Sequence, residues 1–390
     1  MRRGIRAIYL VLGLLLAPST LFAQSVPPAA FTGPFGHIPY DEGGVYVGFS
    51  LMYMNTNRPL ANQVIAQRGF MDLTGSLGQQ GAFIGSKETA LETNQLMGPG
   101  LNQPGWDLFV GYRFSNGLAI EFGWRHLREA RYAASASILP ANFNVGATLQ
   151  NTFLFSPVGN FGNDWAGNDD NVNGAGPGTT YGIWNGATQM QMDYVQRYDV
   201  YQATARYQMT QTETFRSYAL FGPRIAWLWD RFQWTTIDAD LNGDSGPDTA
   251  ARYTNMISNR LYGVHFGIGN DWYLGTTPIG AFAVTLDFET GIYLDLVKTR
   301  ASYERLDFGA VSTRGRRLNS LAFGSDFRAG LWWYPWEAIS LQIGYDVQAY
   351  FNTIASPRPV DFNLGTVDPE YTHQLLRYFH GVRFGISFVF

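Results

Sequence analysis

Tyr378-Phe379-His380-Gly381-Val382-Arg383-Phe384-Gly385-Ile386-Ser387-Phe388-Val389-Phe390 closes the chain. Its even positions, Tyr378, His380, Val382, Phe384, Ile386, Phe388 and Phe390, make one face that is apolar and aromatic. Its odd positions, Phe379, Gly381, Arg383, Gly385, Ser387 and Val389, make a face that is mostly small or polar. A period of two is the signature of a β-strand. A strand with an aromatic outer face and an aromatic carboxyl terminus suits a sheet with lipid on one side and a polar interior on the other.

The same grammar recurs upstream. Val45, Val47, Phe49, Leu51 and Tyr53 alternate with Tyr46, Gly48, Ser50 and Met52. Trp106, Leu108, Val110, Tyr112 and Phe114 lead into the tight-turn signal Ser115-Asn116-Gly117, and Leu118, Ile120, Phe122 and Trp124 return from it. Further pairs flank turns near 210–214, 276–278 and 335–337, which gives ten strands. The face assignment over Met192 to Val200 is ambiguous, and a bulge is expected there. Short turns alternate with the long polar segments 55–104, 129–191, 235–256, 297–319 and 352–372. The fold class is therefore all-β: a closed antiparallel transmembrane β-barrel with short periplasmic turns and long extracellular loops. Twelve strands is the alternative, if Ala133 to Leu139 and Phe143 to Phe153 add a hairpin. Tryptophans and tyrosines near the turns, among them Trp332, Trp333 and Tyr334, are expected to form an interfacial girdle, as are Trp124, Trp227, Trp229 and Trp234 at the other rim.

Composition agrees. Charged residues make up 15% of the 390 and aromatic residues 16%, with 44 glycines. Mean hydropathy is only -0.12. A helical membrane protein would be far more apolar, whereas lipid-facing and lumen-facing residues average out in a barrel. A net charge of -4 argues against a nucleic-acid partner. The absence of cysteine excludes disulfides, thiol catalysis and thiolate metal sites.

Arg2, Arg3 and Arg6 precede the apolar run Ile8 to Ala17, the pattern of an export signal. The expected organisation is a signal peptide at 1–23, a periplasmic arm at 24–44 and the barrel at 45–390, with cleavage after Ala23 or Ser25. An uncleaved anchor is the alternative. The expected location is the bacterial outer membrane. The expected partners are its lipid, the barrel assembly machinery during biogenesis and small solutes; a homo-oligomer is left open.

Lipid does not host charge cheaply, so the charged residues on the strands must point inward. That set is Asp107, Arg113, Glu121, Arg125, Arg224, Asp230, Asp287, Glu289, Asp326, Arg328, Asp346 and Arg383, together with Asp271 and Asp295. They either line a polar path that sets ion preference or pair across a filled lumen. The small inward residues of the last strand tilt the reading toward a porin-like passive channel for ions and small polar solutes. The alternative is a non-conducting structural or adhesive barrel that acts through its long loops.

Asp238, Asp240, Asn242 and Asp244 resemble the start of a calcium loop, with Gly243 at the sixth position and Thr249 where a bidentate Glu is required. A solvated turn is the preferred reading, so no cofactor is expected. A hydrolase at the outer rim would need His126 or His373, or His265 with Asp271. No nucleophile or base motif surrounds any of them, and the chain reads as a non-enzyme.

The stretch Phe379 to Gly385, Gly222-Pro223-Arg224, the Asp199-centred strand from Tyr194 and the opening Gly44-Val45-Tyr46-Val47-Gly48 carry a resemblance. Over Gly44 to Phe390 the chain resembles the pore-forming, major-outer-membrane-protein-like barrels of Gram-negative bacteria. That resemblance implies an integral outer-membrane barrel of porin-like role. The strand pattern itself makes the last strand, with Phe384, Phe388 and Phe390, the one expected to pair with the strand at Val45 and close the barrel. It brings no catalytic motif.

Overall fold

The structure, a computed structural model, describes residues 44–72, 75, 78–98, 102–138, 153–160, 183–239, 245–309, 311–336, 338–374 and 376–390. The expected signal peptide and almost all of the periplasmic arm lie outside these residues.

Ten strands form one closed antiparallel barrel. They are β1 (Gly44–Thr56), β2 (Gln103–Arg113), β3 (Leu118–Ser137), β4 (Gln189–Gln211), β5 (Phe215–Ile237), β6 (Ala250–Thr277), β7 (Gly280–Arg305), β8 (Val311–Trp336), β9 (Ile339–Phe351) and β10 (Arg377–Val389). Each pairs with its sequence neighbours, and β10 closes the ring on β1, with Val47 opposite Phe388 and Leu51 opposite Phe384. Phe390 N–H donates to the Val45 carbonyl at 2.8 Å. Closure leaves no strand edge to lipid, where an unbonded backbone group costs several kcal/mol. The twelve-strand alternative falls: Ala133 to Ser137 prolong β3.

Local chemistry sets the turns. Between β2 and β3, Gly117 takes φ +81°, and Asn116 Oδ1 accepts the Leu118 N–H at 3.1 Å. Between β4 and β5, Thr212 Oγ1 accepts the Phe215 N–H at 3.1 Å. The expected bulge is found as a register shift between Gln196 and Tyr198 against β3.

Burial alternates without a break along β1: Tyr46, Ser50, Met52 and Met54 face in, and Val45, Phe49, Leu51 and Tyr53 face out. Outward apolar residues continue round the ring, with Phe122, Phe221, Val264, Phe288, Phe323, Ile343 and Phe384 all exposed. This is the belt that lipid covers.

Two expectations need correction. The segment 297–319 is mostly strand and 235–256 is strand at both ends, because β5 runs to Ile237, β6 starts at Ala250, β7 runs to Arg305 and β8 starts at Val311. β6, β7 and β8 have 28, 26 and 26 residues. About 9–11 residues span a bilayer, so more than half of each projects beyond it. There the outer face meets water and the pattern inverts. On β7, Phe288, Ile292, Leu294 and Leu296 face out below the boundary, and Lys298 and Arg300 face out above it, with Val297, Ala301 and Tyr303 turned in. Read for a lipid-facing alternation, that stretch looks like loop. The second correction concerns the girdle. Trp332 and Tyr334 turn inward against Ala281 and Ala283, and Trp234 is buried in the interior of the projecting half.

Candidate functional site

At the outer end the described loop residues pack together. Short strands at Val64–Arg68, Thr89–Glu92, Leu154–Phe155 and Asn185–Ala187 form a four-stranded sheet. Its apolar residues Ile65, Leu91 and Leu154, with Trp184 just before its last strand, pack with Val360 and Leu364 of the β9–β10 loop. All of them rest on Met192, Phe232, Trp234, Tyr253 and Tyr303 from the inward faces of the strands. Trp184 meets Trp234 edge-on at 4.8 Å. The mouth of the barrel therefore holds a hydrophobic core.

Beneath this plug Arg377, at the start of β10, reaches Asp230 on β5. Arg377 Nη1 donates to Asp230 Oδ2 at 2.7 Å and Nη2 to Oδ1 at 3.1 Å. In the ring order β10 and β5 stand on opposite walls, so this forked pair spans the lumen. Next comes an apolar layer: Met52, Met54, Leu127, Tyr198, Leu228, Leu261, Tyr293, Tyr350 and Phe379 are mutually packed. It also crosses the lumen. Tyr198 on β4 stacks on Phe379 at 4.1 Å, and its hydroxyl meets that of Tyr350, on the opposite wall, at 2.9 Å.

Deeper lies the charge layer. Arg224 Nη1 donates to Asp326 at 2.7 Å and Nη2 bonds Glu289. Glu289 also accepts from Arg328 and lies 3.7 Å from His265 Nε2. Arg125 pairs with Asp107 at 3.0 Å, and Arg383 sits 3.4 Å from Asp346 and 3.9 Å from Asp107. Arg206 lies 3.6 Å from both Glu121 and Asp287. At the turn end Arg216 pairs with Asp271 at 3.0 Å, and Arg113 lines a small hollow with Arg216 and Tyr218.

All twelve of the charged residues expected inside are buried in the interior, as are Asp271 and Asp295. The sequence reading missed four that matter: Arg206, Arg216, Arg377 and Tyr198. Arg377 could have been found, since it continues the inward odd series of Phe379, Gly381 and Arg383. Arg206 and Tyr198 fell on the strand whose faces the bulge obscures. A cavity of about 660 Å³, counting space open to solvent, survives among the charges and is lined by Asp107, Glu121, Arg206, Asp287, Arg328 and Arg383 among others.

An outward apolar belt, a closed backbone ring and charges confined to the interior meet the demands that lipid makes on a strand protein. The chain is an outer-membrane β-barrel. No protein-family model matches it, and no curated protein does. Among solved structures it is similar to the outer membrane protease OmpT from Escherichia coli, with 11% identity and a TM-score of 0.34, covering 89% of this chain and 97% of that one. It is also similar to a major outer membrane protein from Thermus thermophilus, with 11% identity and a TM-score of 0.29, covering 90% of this chain and 100% of that one. A third is the CymD monoaromatic hydrocarbon channel, with 8% identity and a TM-score of 0.23, covering 89% of this chain and 88% of that one. Likeness at this level concerns the fold alone.

The expectation that the chain is not an enzyme is withdrawn: solved barrels include a protease as well as a channel, so the fold does not decide it. The histidines it rested on are dispersed. His265 is buried in the charge layer and meets Thr204 Oγ1 at 3.1 Å. His126 is on the outer face, with Nδ1 2.7 Å from Asp199 Oδ1, and His373 Nδ1 is 3.4 Å from the Asn352 carbonyl. Of the calcium-loop residues, Asp240, Asn242 and Asp244 lie outside the described residues; Asp238 is buried, its N–H donating to the Thr249 carbonyl at 2.9 Å. Among the described residues no three His, Asp or Glu side chains converge as a metal site.

Proposed function

We propose that the protein is a non-conducting structural or adhesive barrel that acts through its external loops and the projecting half of the sheet. One observation carries this: Arg377 and Asp230 join opposite walls of the lumen. The loop-built plug above that pair and the apolar layer below it support the same reading. It reverses the tilt that the small residues of the closing strand gave, because the space beside Gly385 is filled by Ser50 and Gln342. The test is conductance of the purified, heat-modifiable barrel in planar bilayers. No discrete steps are expected, and regular single-channel steps would overturn the reading. A second reading, a passive channel for ions and small polar solutes, draws on the charged cavity below the apolar layer; those same steps would establish it.

A further inference from the structure

The outer surface carries a feature that neither lumen nor loops explain. Just above the apolar belt, Arg260 on β6, Lys298 and Arg300 on β7 and Arg317 on β8 all point outward and are exposed. Ser258, Lys298 and Arg317 are register partners along one hydrogen-bonded row. The row continues to Trp229 on β5 and Arg197 on β4. Arg197 lies over the Trp229 ring at 4.5 Å and Arg231 at 5.7 Å. Arg197 also bonds Glu129. Arg260, Lys298, Arg300 and Arg317 have no ion pair among the described residues.

The band is one-sided. β1, β2, β9 and β10 present no outward Lys or Arg; at the same end they show Tyr53, Trp106, Phe351 and Tyr378. Immediately below the cations lie Tyr262, Leu294, Leu296 and Leu321, all exposed to lipid. Like charges crowded on adjacent strands destabilise the sheet unless something neutralises them. Whatever does so must be anionic and must sit where acyl chains end.

We infer that this row over β4–β8 binds the phosphorylated headgroup of an outer-leaflet glycolipid. Arginine forks suit phosphate oxygens, and the lysine adds a point charge. Continuity with the apolar belt selects a lipid over a soluble anion, since the acyl chains would cover Leu294, Leu296 and Leu321 while the phosphates meet the cations. The tryptophan between Arg197 and Arg231 holds both at the interface.

The test uses the full chain in detergent, mixed with bisphosphorylated lipid A or with its phosphate-free derivative, and read by native mass spectrometry. Lys298→Gln/Arg300→Gln/Arg317→Gln should weaken binding of the bisphosphorylated lipid by more than about tenfold. Binding of the phosphate-free lipid should not change. Equal binding of the bisphosphorylated lipid by the variant and the parent overturns the inference. If the variant fails to reach the heat-modifiable state, the parent chain decides: preference for the phosphorylated lipid supports the inference, and equal occupancy of the two lipids overturns it. Displacement of the lipid by inorganic phosphate alone overturns the lipid assignment.

Discussion

Arg377 and Asp230 face each other from opposite walls of the barrel and bond through two parallel N–H···O contacts of 2.7 and 3.1 Å. Both side chains are almost fully buried. Such a pair tolerates the loss of both partners far better than the loss of one. Arg377→Ala, which strands the Asp230 carboxylate, should cost about 3–5 kcal/mol. Arg377→Met/Asp230→Leu should be clearly milder than either single change. The midpoint of heat-modifiability in detergent measures this, and additive losses would contradict it.

The second cross-lumen tie predicts a smaller effect. Tyr198 on β4 bonds both Gln348 and Tyr350 on β9 through its hydroxyl. Tyr198→Phe keeps the stack on Phe379 and removes only the hydroxyl. Its partners are then buried without that bond, so about 1–3 kcal/mol should be lost. A variant as stable as the parent would mean that the stack alone holds the layer.

Much of this was legible in the sequence, and the failures have physical causes. The closing strand and its relatives could be read because lipid enforces a strict two-residue period: Phe384 must face out and Arg383 must not. The charged interior followed from the same rule. Beyond the membrane the rule inverts, so Lys298 and Val297 exchange the faces that a lipid-based reading assigns to polar and apolar residues, and strand reads as loop. Trp332 misled because an interfacial girdle and an inward apolar cluster at the turn end use the same residue types. The outer plug was invisible, since Ile65, Trp184 and Val360 come from three loops that share no period and meet only through tertiary packing.

The closing strand itself carries a testable contrast. A Cβ placed on Gly381 would lie well inside van der Waals distance of the Tyr53 carbonyl oxygen, which belongs to the backbone of β1. At Gly385 the new atom would meet only the Ser50 and Gln342 side chains. Backbone cannot yield without parting the β1–β10 seam, whereas side chains can rotate. Gly381→Ala should therefore cost about 1–3 kcal/mol, as overpacking does, and Gly385→Ala less. Refolding into detergent, scored as the heat-modifiable fraction, ranks the two. The opposite ranking would place the tight point of the seam elsewhere.

The external half should loosen at alkaline pH. Tyr371, in the loop between β9 and β10, donates to Asn255 at 3.1 Å, and burial pushes its hydroxyl up to about 12. Burial also pushes Tyr253 and Tyr303, in the hydrophobic plug, well above the ordinary value. A pKa raised in the folded state means that the neutral form is the one the fold accommodates. The stability these hydroxyls contribute is full below the unfolded value of about 10 and is lost as pH climbs through about 12 for Tyr371. Tyrosinate absorbance should show a late step in that window, accompanied by loss of near-ultraviolet circular dichroism from the packed aromatics. Tyr371→Phe should remove its share of the late step while the heat-modifiable barrel persists. An unchanged titration would mean that Tyr371 is open to water in solution.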